Sequence, residues 1–382
     1  MFRIELPFEV RPAWLRRLIL IILISWMASY SIYTSYYRAY AVDTYDRFLD
    51  HQAGHSMFFN PWQYRVLCPW MIGGIYQALD HTVFPLLNVK GFHLQVQGNT
   101  VDKNPNTVKL MKSLENPEFV KYTFVFLGFR FLEDVIILLL AYAYLSIFVS
   151  NVSARWLALT FISLVMGNSV VDSDLTFNTY LDIIVYLTAG LVIMKNLNYW
   201  WIAGLTIVGA FNRETSVFIP AIFFFSKSDW ASWPSFRKMF FLDRQAFVVT
   251  AVATVFFFVI FFGIRYHYGF RPLETWRVPP GLPMLKLNFL SASAIKTYME
   301  FFGVFAIFPI WAIFVLKRAD LRLKIIFYTL VPAWFALHLY SAIGFQTRLF
   351  LVPTVLVIMP VVFEYIDKRM VPMSASQQPQ ID

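Results

Sequence analysis

Apolar runs succeed one another along this chain, and they limit its fold more than any other feature. They lie near residues 14–37, 131–150, 153–171, 176–194, 199–211, 215–226, 246–265, 297–316, 325–344 and 348–365. A helix needs about 20 apolar residues to cross a bilayer. Within hydrocarbon its backbone groups have to be satisfied inside the segment, which leaves helices as the economical solution. The expectation is an all-α, polytopic helical membrane protein with about ten transmembrane helices, two of them short. Composition agrees: 58% of residues are hydrophobic and 14% charged, against about 25% charged in soluble domains. Residues 18–37 exceed the apolar region of a signal peptide and end in tyrosines, so they are read as the first span.

Charge sets the expected topology. Basic residues concentrate in the N-terminus (Arg3, Arg11, Arg16, Arg17), in 226–245 (Lys227, Arg237, Lys238, Arg244), in 317–324 (Lys317, Arg318, Arg322, Lys324) and after the last run (Lys368, Arg369). All four groups fall on one side, the cytoplasm, if 199–211 and 215–226 form a hairpin and 66–87 does not cross. Both termini are then cytoplasmic. Residues 38–130 become a large outer loop with interfacial helices, and Pro69, Gly73, Gly74 and Pro85 suit 66–87 to an interfacial or re-entrant role. Residues 1–369 read as one integral membrane domain and 370–382 as a disordered cytoplasmic tail. The net charge of +9 is assigned to orientation and anionic lipid, and no nucleic-acid partner is expected.

The polar residues of the outer side carry the chemistry. Asn212-Arg213-Glu214-Thr215 interrupts two apolar runs. An Arg and a Glu at membrane depth cost several kcal/mol each unless paired or wetted, so such residues point to function. The tip should lie at the outer surface or face a watered cavity. Asp43, Asp46 and Asp50 share one face of a helix. They suit a general base, oxygen ligands for a divalent cation, or a solvated loop helix. In Asn60-Pro-Trp-Gln-Tyr64-Arg65-Val-Leu-Cys68-Pro69, the Arg65 fork suits a phosphate, although a snorkelling interfacial Arg fits the same spot. Asp174, Asn178 and Asp182 repeat at i, i+4, i+8, a stripe that faces protein or a wet cavity. Arg348 sits in an outer turn, as a second phosphate ligand or a membrane anchor. Arg130 and Glu133 can pair at i, i+3, a structural contact. His338 reads as a satisfied core histidine. The six histidines and the lone Cys68 show no metal spacing, so no metal site or thiolate cluster is expected. No phosphate-cradling glycine loop or nucleophile elbow is present.

In order, these features resemble the bacterial polytopic glycosyltransferases of the GT-C fold, which use polyprenyl-phosphate-linked sugars. The resemblance rests on the outer-loop acids Asp43 and Asp46, on Trp62 to Pro69, on the Asp-rich turn at Asp172 and Asp174, and on Arg213-Glu214-Thr215 ahead of Pro220. Three spaced acids depart from the acidic pair of some members, and no large soluble C-terminal domain follows the last span.

The resemblance implies sugar transfer from a lipid-phosphate donor to a glycan, lipid or protein hydroxyl at the outer face of the cytoplasmic membrane. Asp43 or Asp46 would be the base. Tyr64, Arg65, Asp172, Asp174, Asn212, Arg213, Glu214 and Arg348 would bind substrate. No cofactor is required by the sequence, and a divalent cation is compatible with it. Two other readings share these residues: a transporter or flippase of a lipid-linked saccharide, and a non-catalytic membrane subunit of an envelope polysaccharide assembly complex.

Overall fold

The computed structural model describes residues 4–37, 41–53, 61–87, 105–170, 176–229, 243–272 and 278–370. Among these the chain is helical and has no strand. The helices are α1 (Ala13–Tyr37), α2 (Ala41–Gln52), α3 (Leu67–Thr82), α4 (Pro105–Ser113), α5 (Pro117–Leu145), α6 (Val152–Asn168), α7 (Thr176–Met194), α8 (Trp200–Asn212) and α9 (Phe218–Lys227). They continue with α10 (Arg244–Tyr268), α11 (Leu282–Leu290), α12 (Ala292–Phe305), α13 (Phe308–Val315), α14 (Leu321–Ser341) and α15 (Met359–Met370). Side-chain caps start several of them. Asn116 accepts from Glu118 N ahead of Pro117, Asp243 from Ala246 N, and Asp320 from Arg322 N, each satisfying an N–H that the helix leaves open.

Among the described residues four helices are long and apolar enough to cross a membrane: Ala13–Ser35, Arg244–Tyr268, Leu321–Ser341 and Thr347–Met370. A fifth arises if Ala292–Phe305 and Phe308–Arg318, bent by 71° at their break, act as one span. This is compatible with a multi-pass membrane protein. Helix α5 has 29 residues, but Arg130, Glu133 and Asp134 interrupt its apolar half. Helices α6, α7 and α8 are apolar but shorter. Where the sequence predicts one span over 297–316, the chain instead bends at Ala306, which takes φ +49° between α12 and α13.

The last of these candidate spans is the most enclosed of the four, with 89% of its most apolar stretch buried against 22% for α10. On α10, Val255, Val259 and Phe262 stay exposed, an apolar face of the kind that meets lipid. A second, smaller core joins α2, α3, α4 and the start of α5 through Tyr45, Phe48, Tyr76, Phe119 and Tyr122.

The two ends of the bundle differ in chemistry. At one end Lys227 Nζ meets Asn196 Oδ1 at 2.5 Å, Arg322 Nη1 donates to Met194 O at 2.8 Å, and Lys368 Nζ donates to Arg318 O at 3.1 Å. The basic residues from three separate stretches of sequence thus share an end. The polar residues described next occupy the other.

Candidate functional site

Helices α8 and α9 form an antiparallel hairpin. Tyr199, just before α8, packs on Phe223 of α9 with ring centroids 5.0 Å apart, while Gly209 lies against Ser216 across the turn. Between the helices Arg213 is extended (φ −154°, ψ 152°), followed by a 3-10 turn over Glu214–Val217. The close approach needs glycine: a Cβ on Gly209 would come within 2.7 Å of Ser216 Cβ. The expected wet tip is instead packed inside protein, with Asn212, Arg213, Thr215 and Ser216 all buried. Helices α7, α10 and α14 surround it, and side chains and backbone carbonyls of these neighbours meet several of its polar atoms.

Asp182 is the hub of that packing. Its Oδ2 lies 3.1 Å from Arg213 Nη1, and its Oδ1 accepts from Asn212 Nδ2 at 2.6 Å. Asn212 Nδ2 also donates to Asn178 O at 2.7 Å, and Cys68 Sγ sits 3.5 Å from Asn212 Oδ1. The Tyr186 hydroxyl donates to Thr215 O at 2.5 Å. His338 Nδ1 lies 2.9 Å from the Trp334 carbonyl, which can only accept, so Nδ1 carries the proton. Nε2 is then the acceptor facing Arg213 Nη2 at 3.5 Å. His338 is thus partnered on both nitrogens.

A second shell of arginines stands around this pair. The 3-10 turn Trp62–Tyr64 delivers Arg65, whose Nη2 is 3.5 Å from Glu214 Oε2. Arg265, from the last turn of α10, reaches the other Glu214 oxygen at 3.3 Å. Aromatic faces hold the guanidinium groups: Arg65 lies 4.2 Å from the Trp62 ring centroid, Arg348 lies 5.2 Å from the same ring, and Arg265 lies 4.3 Å from that of Tyr64. Cation–π contact of this kind steadies an Arg without neutralising it. Tyr64 also ties the turn to α10, its hydroxyl donating to Gly269 O at 2.7 Å. Gly269 takes φ +81° there, a conformation open to glycine at no steric cost.

Five of the sequence-derived candidates therefore sit in one constellation: Tyr64, Arg65, Asn212, Arg213 and Glu214, with Arg348 joining through Trp62. Asp43 and Asp46 do not touch it. They are exposed on α2, and each lies 3.4 Å from Lys109 Nζ of α4. Burial works against the Lys109 charge, but the fields of Asp46 and Asp43 outweigh it and hold the ammonium above its usual value. Asp172 and Asp174 lie outside the described residues. Among the described residues no group of three or more His, Cys, Asp or Glu is placed to hold a metal ion. Asp182, Arg265 and His338 belong to the constellation, yet sequence reasoning left them out of the candidate site. Asp182 carried a signal in the stripe of α7. Arg265 carried a weaker one, an Arg closing an apolar run.

A further charged group on α5 borders this site, with Arg130 5.2 Å from the ring centroid of Tyr180 on α7. Arg130, Glu133 and Asp134 on α5 are buried, with Arg130 Nη1 donating to Ser35 Oγ at 2.9 Å and Asp134 bonded to Ser31.

No protein-family model, characterised protein or solved structure matches the chain.

Proposed function

We propose that this protein is a membrane glycosyltransferase that takes a sugar from a polyprenyl-phosphate-linked donor and passes it to an acceptor hydroxyl. On this reading the chain is GT-C-like, crosses the cytoplasmic membrane of a bacterium about ten times with both termini inside, and works at the outer face. One observation carries the proposal: Arg65, Arg213 and Arg265 share a buried polar end and, among the described residues, pair with two carboxylates, Asp182 and Glu214. Moreover, Arg65 Nε and Arg213 Nε are buried without a hydrogen-bond partner. Buried donors left unmet cost about 1–3 kcal/mol each. An anion of phosphate type would answer both the charge surplus and the open donors, and Arg forks suit its geometry. An apolar helical surround suits an anion that carries a lipid tail.

The chemistry is a direct displacement. The acceptor oxygen attacks the sugar C1, its proton passes to a carboxylate, and the C1–O bond to phosphate breaks. Charge then grows on the leaving polyprenyl phosphate, where the arginines stabilise it. The anomeric centre inverts, and no covalent glycosyl-enzyme is required. Asp43 or Asp46 is the proposed base; neither touches the arginine constellation, so the donor sugar has to extend from the bound phosphate toward α2, and the incoming acceptor has to displace Lys109. A divalent cation has no assigned role.

The transporter reading has one observation in its favour: Arg130, Glu133 and Asp134 on α5 extend the buried charge beyond the arginine constellation. Membranes containing the protein and a polyprenyl-phosphate sugar separate the two. Transfer of labelled sugar to acceptor, abolished by Arg65→Gln and Arg213→Gln, supports the enzyme. Movement of intact labelled donor across sealed vesicles without transfer supports transport and ends the glycosyltransferase reading.

A further inference from the structure

The two carboxylates of the constellation are held very differently. Asp182 is sealed against Arg213, with 1% of either side chain exposed and 3.1 Å between them. Glu214 is less enclosed. It keeps 27% of its side-chain surface, while Arg65 and Arg265, which hold it, keep 8% and 11%. Its contacts, 3.5 Å and 3.3 Å, are long for charge-assisted bonds, which usually close to about 2.7–2.9 Å.

The support beneath each group differs as well. Arg265 lies 3.4 Å from the Phe261 ring centroid and 4.3 Å from that of Tyr64. Arg65 lies over Trp62. Glu214 has no comparable anchor and can swing on its own side-chain torsions, while Arg213 beside it stays pinned to α7. The two guanidinium groups take separate oxygens of the one carboxylate. Two non-bridging oxygens on one phosphorus would meet them in the same way.

We propose that Glu214 is a displaceable occupant of an anion clamp formed by Arg65 and Arg265, and that a phosphate-bearing lipid enters by replacing its carboxylate. This rests on the reading of the constellation as a phosphate-lipid site. It makes Arg265 a binding residue and gives Glu214 a regulatory role. With Glu214 in place, one of the two guanidinium charges of the clamp is already offset, so a weaker anion gains less by entering than it would at the bare arginine pair. After transfer the returning carboxylate competes with the carrier phosphate and speeds its release. The competent, open state is only part of the unloaded population, and apparent affinity is reduced by that fraction.

The test uses the full chain in lipid nanodiscs, titrated with farnesyl phosphate and, separately, with inorganic phosphate. Glu214→Gln should bind farnesyl phosphate about three- to tenfold more tightly than the unaltered protein. It should also melt lower without ligand, having lost the internal ion pairs, and gain more on ligand binding. Glu214→Asp keeps the charge but is too short to span both arginines, and should fall between the two. Arg265→Gln should bind about tenfold more weakly, the equivalent of about 1.4 kcal/mol. A gain for inorganic phosphate alone upholds the clamp and overturns its lipid ligand. If the unaltered protein binds and Arg213→Gln weakens binding, yet Glu214→Gln is equal or weaker, the displaceable gate is wrong while the phosphate-lipid reading survives. If the unaltered protein and Glu214→Gln both fail to bind either probe, both readings fail together.

Discussion

Arg213 reaches from the turn between α8 and α9 to Asp182 on α7, Nη1 to Oδ2 at 3.1 Å, and 1% of each side chain meets solvent. The pair ties the hairpin to the neighbouring helix. Removing one member of a buried pair leaves an uncompensated charge and costs about 3–5 kcal/mol, whereas removing both costs far less. Asp182→Asn should therefore melt well below the unaltered protein, and Asp182→Asn/Arg213→Gln should recover part of the loss. Thermal unfolding of the purified variants reads this coupling. Additive losses would show that the two residues act separately.

The hairpin depends on Gly209. An alanine there meets Ser216 Cβ at 2.7 Å, and such overpacking costs about 1–3 kcal/mol. Gly204 lies on the same helix with open space around its Cβ position. There alanine should stabilise by about 0.5–1 kcal/mol through helix propensity. Opposite shifts in melting temperature for Gly209→Ala and Gly204→Ala are expected. Equal shifts would remove the steric argument.

Helical class was legible in the apolar runs, because a long run of apolar residues has few other solutions. Arg213, Arg65 and Arg348 stood out for a related reason: charge is conspicuous in apolar surroundings. Sequence spacing does not say what faces a polar turn, so the tip at Asn212 read as wet although Asp182 and the α7 backbone enclose it. Arg265 was hidden because an Arg at the end of an apolar run is commonplace, and only the return of α10 to Tyr64 gives it a role. The bend at Ala306 had no clear signal, since alanine seldom adopts a positive φ. Asp43 and Asp46 were singled out by sign, spacing and the resemblance. Lys109, distant in sequence, is what occupies them.

Helix α3 is pinned to α5 by a group that should respond to pH. The hydrogen bond from Tyr76, then that from Lys121, hold Glu118 below the ordinary carboxylate value of 4.5. Hydrogen bonds to Asp80 and Glu118 hold Lys121 above the ordinary 10.5. For Glu118 the folded value is depressed, so its stabilisation is complete above 4.5 and fades as pH falls through the lowered value. For Lys121 the folded value is raised, so its stabilisation is complete below 10.5 and fades as pH rises through it. Protection of the α3 amides, taken relative to their intrinsic exchange rate at each pH, should be flat between these limits and fall outside them. Tyr76→Phe should weaken the acid limb and spare the alkaline one. A single unchanged profile would mean that the pin contributes nothing.

Asp43 and Asp46 share one ammonium, Lys109 Nζ at 3.4 Å from each, but only one carboxylate can take the proton of an attacking hydroxyl. On the proposed function, one of Asp43→Asn and Asp46→Asn should lower kcat about 10²- to 10⁴-fold, the span of general-base catalysis. The other should stay within about threefold. Lys109→Met should leave kcat less affected than the damaging substitution, since Lys109 competes with the acceptor and takes no part in the displacement. Transfer assays with saturating polyprenyl-phosphate sugar check all three variants. If neither aspartate substitution lowers kcat beyond about threefold, the base lies elsewhere, and α2 serves only to pack the outer loop.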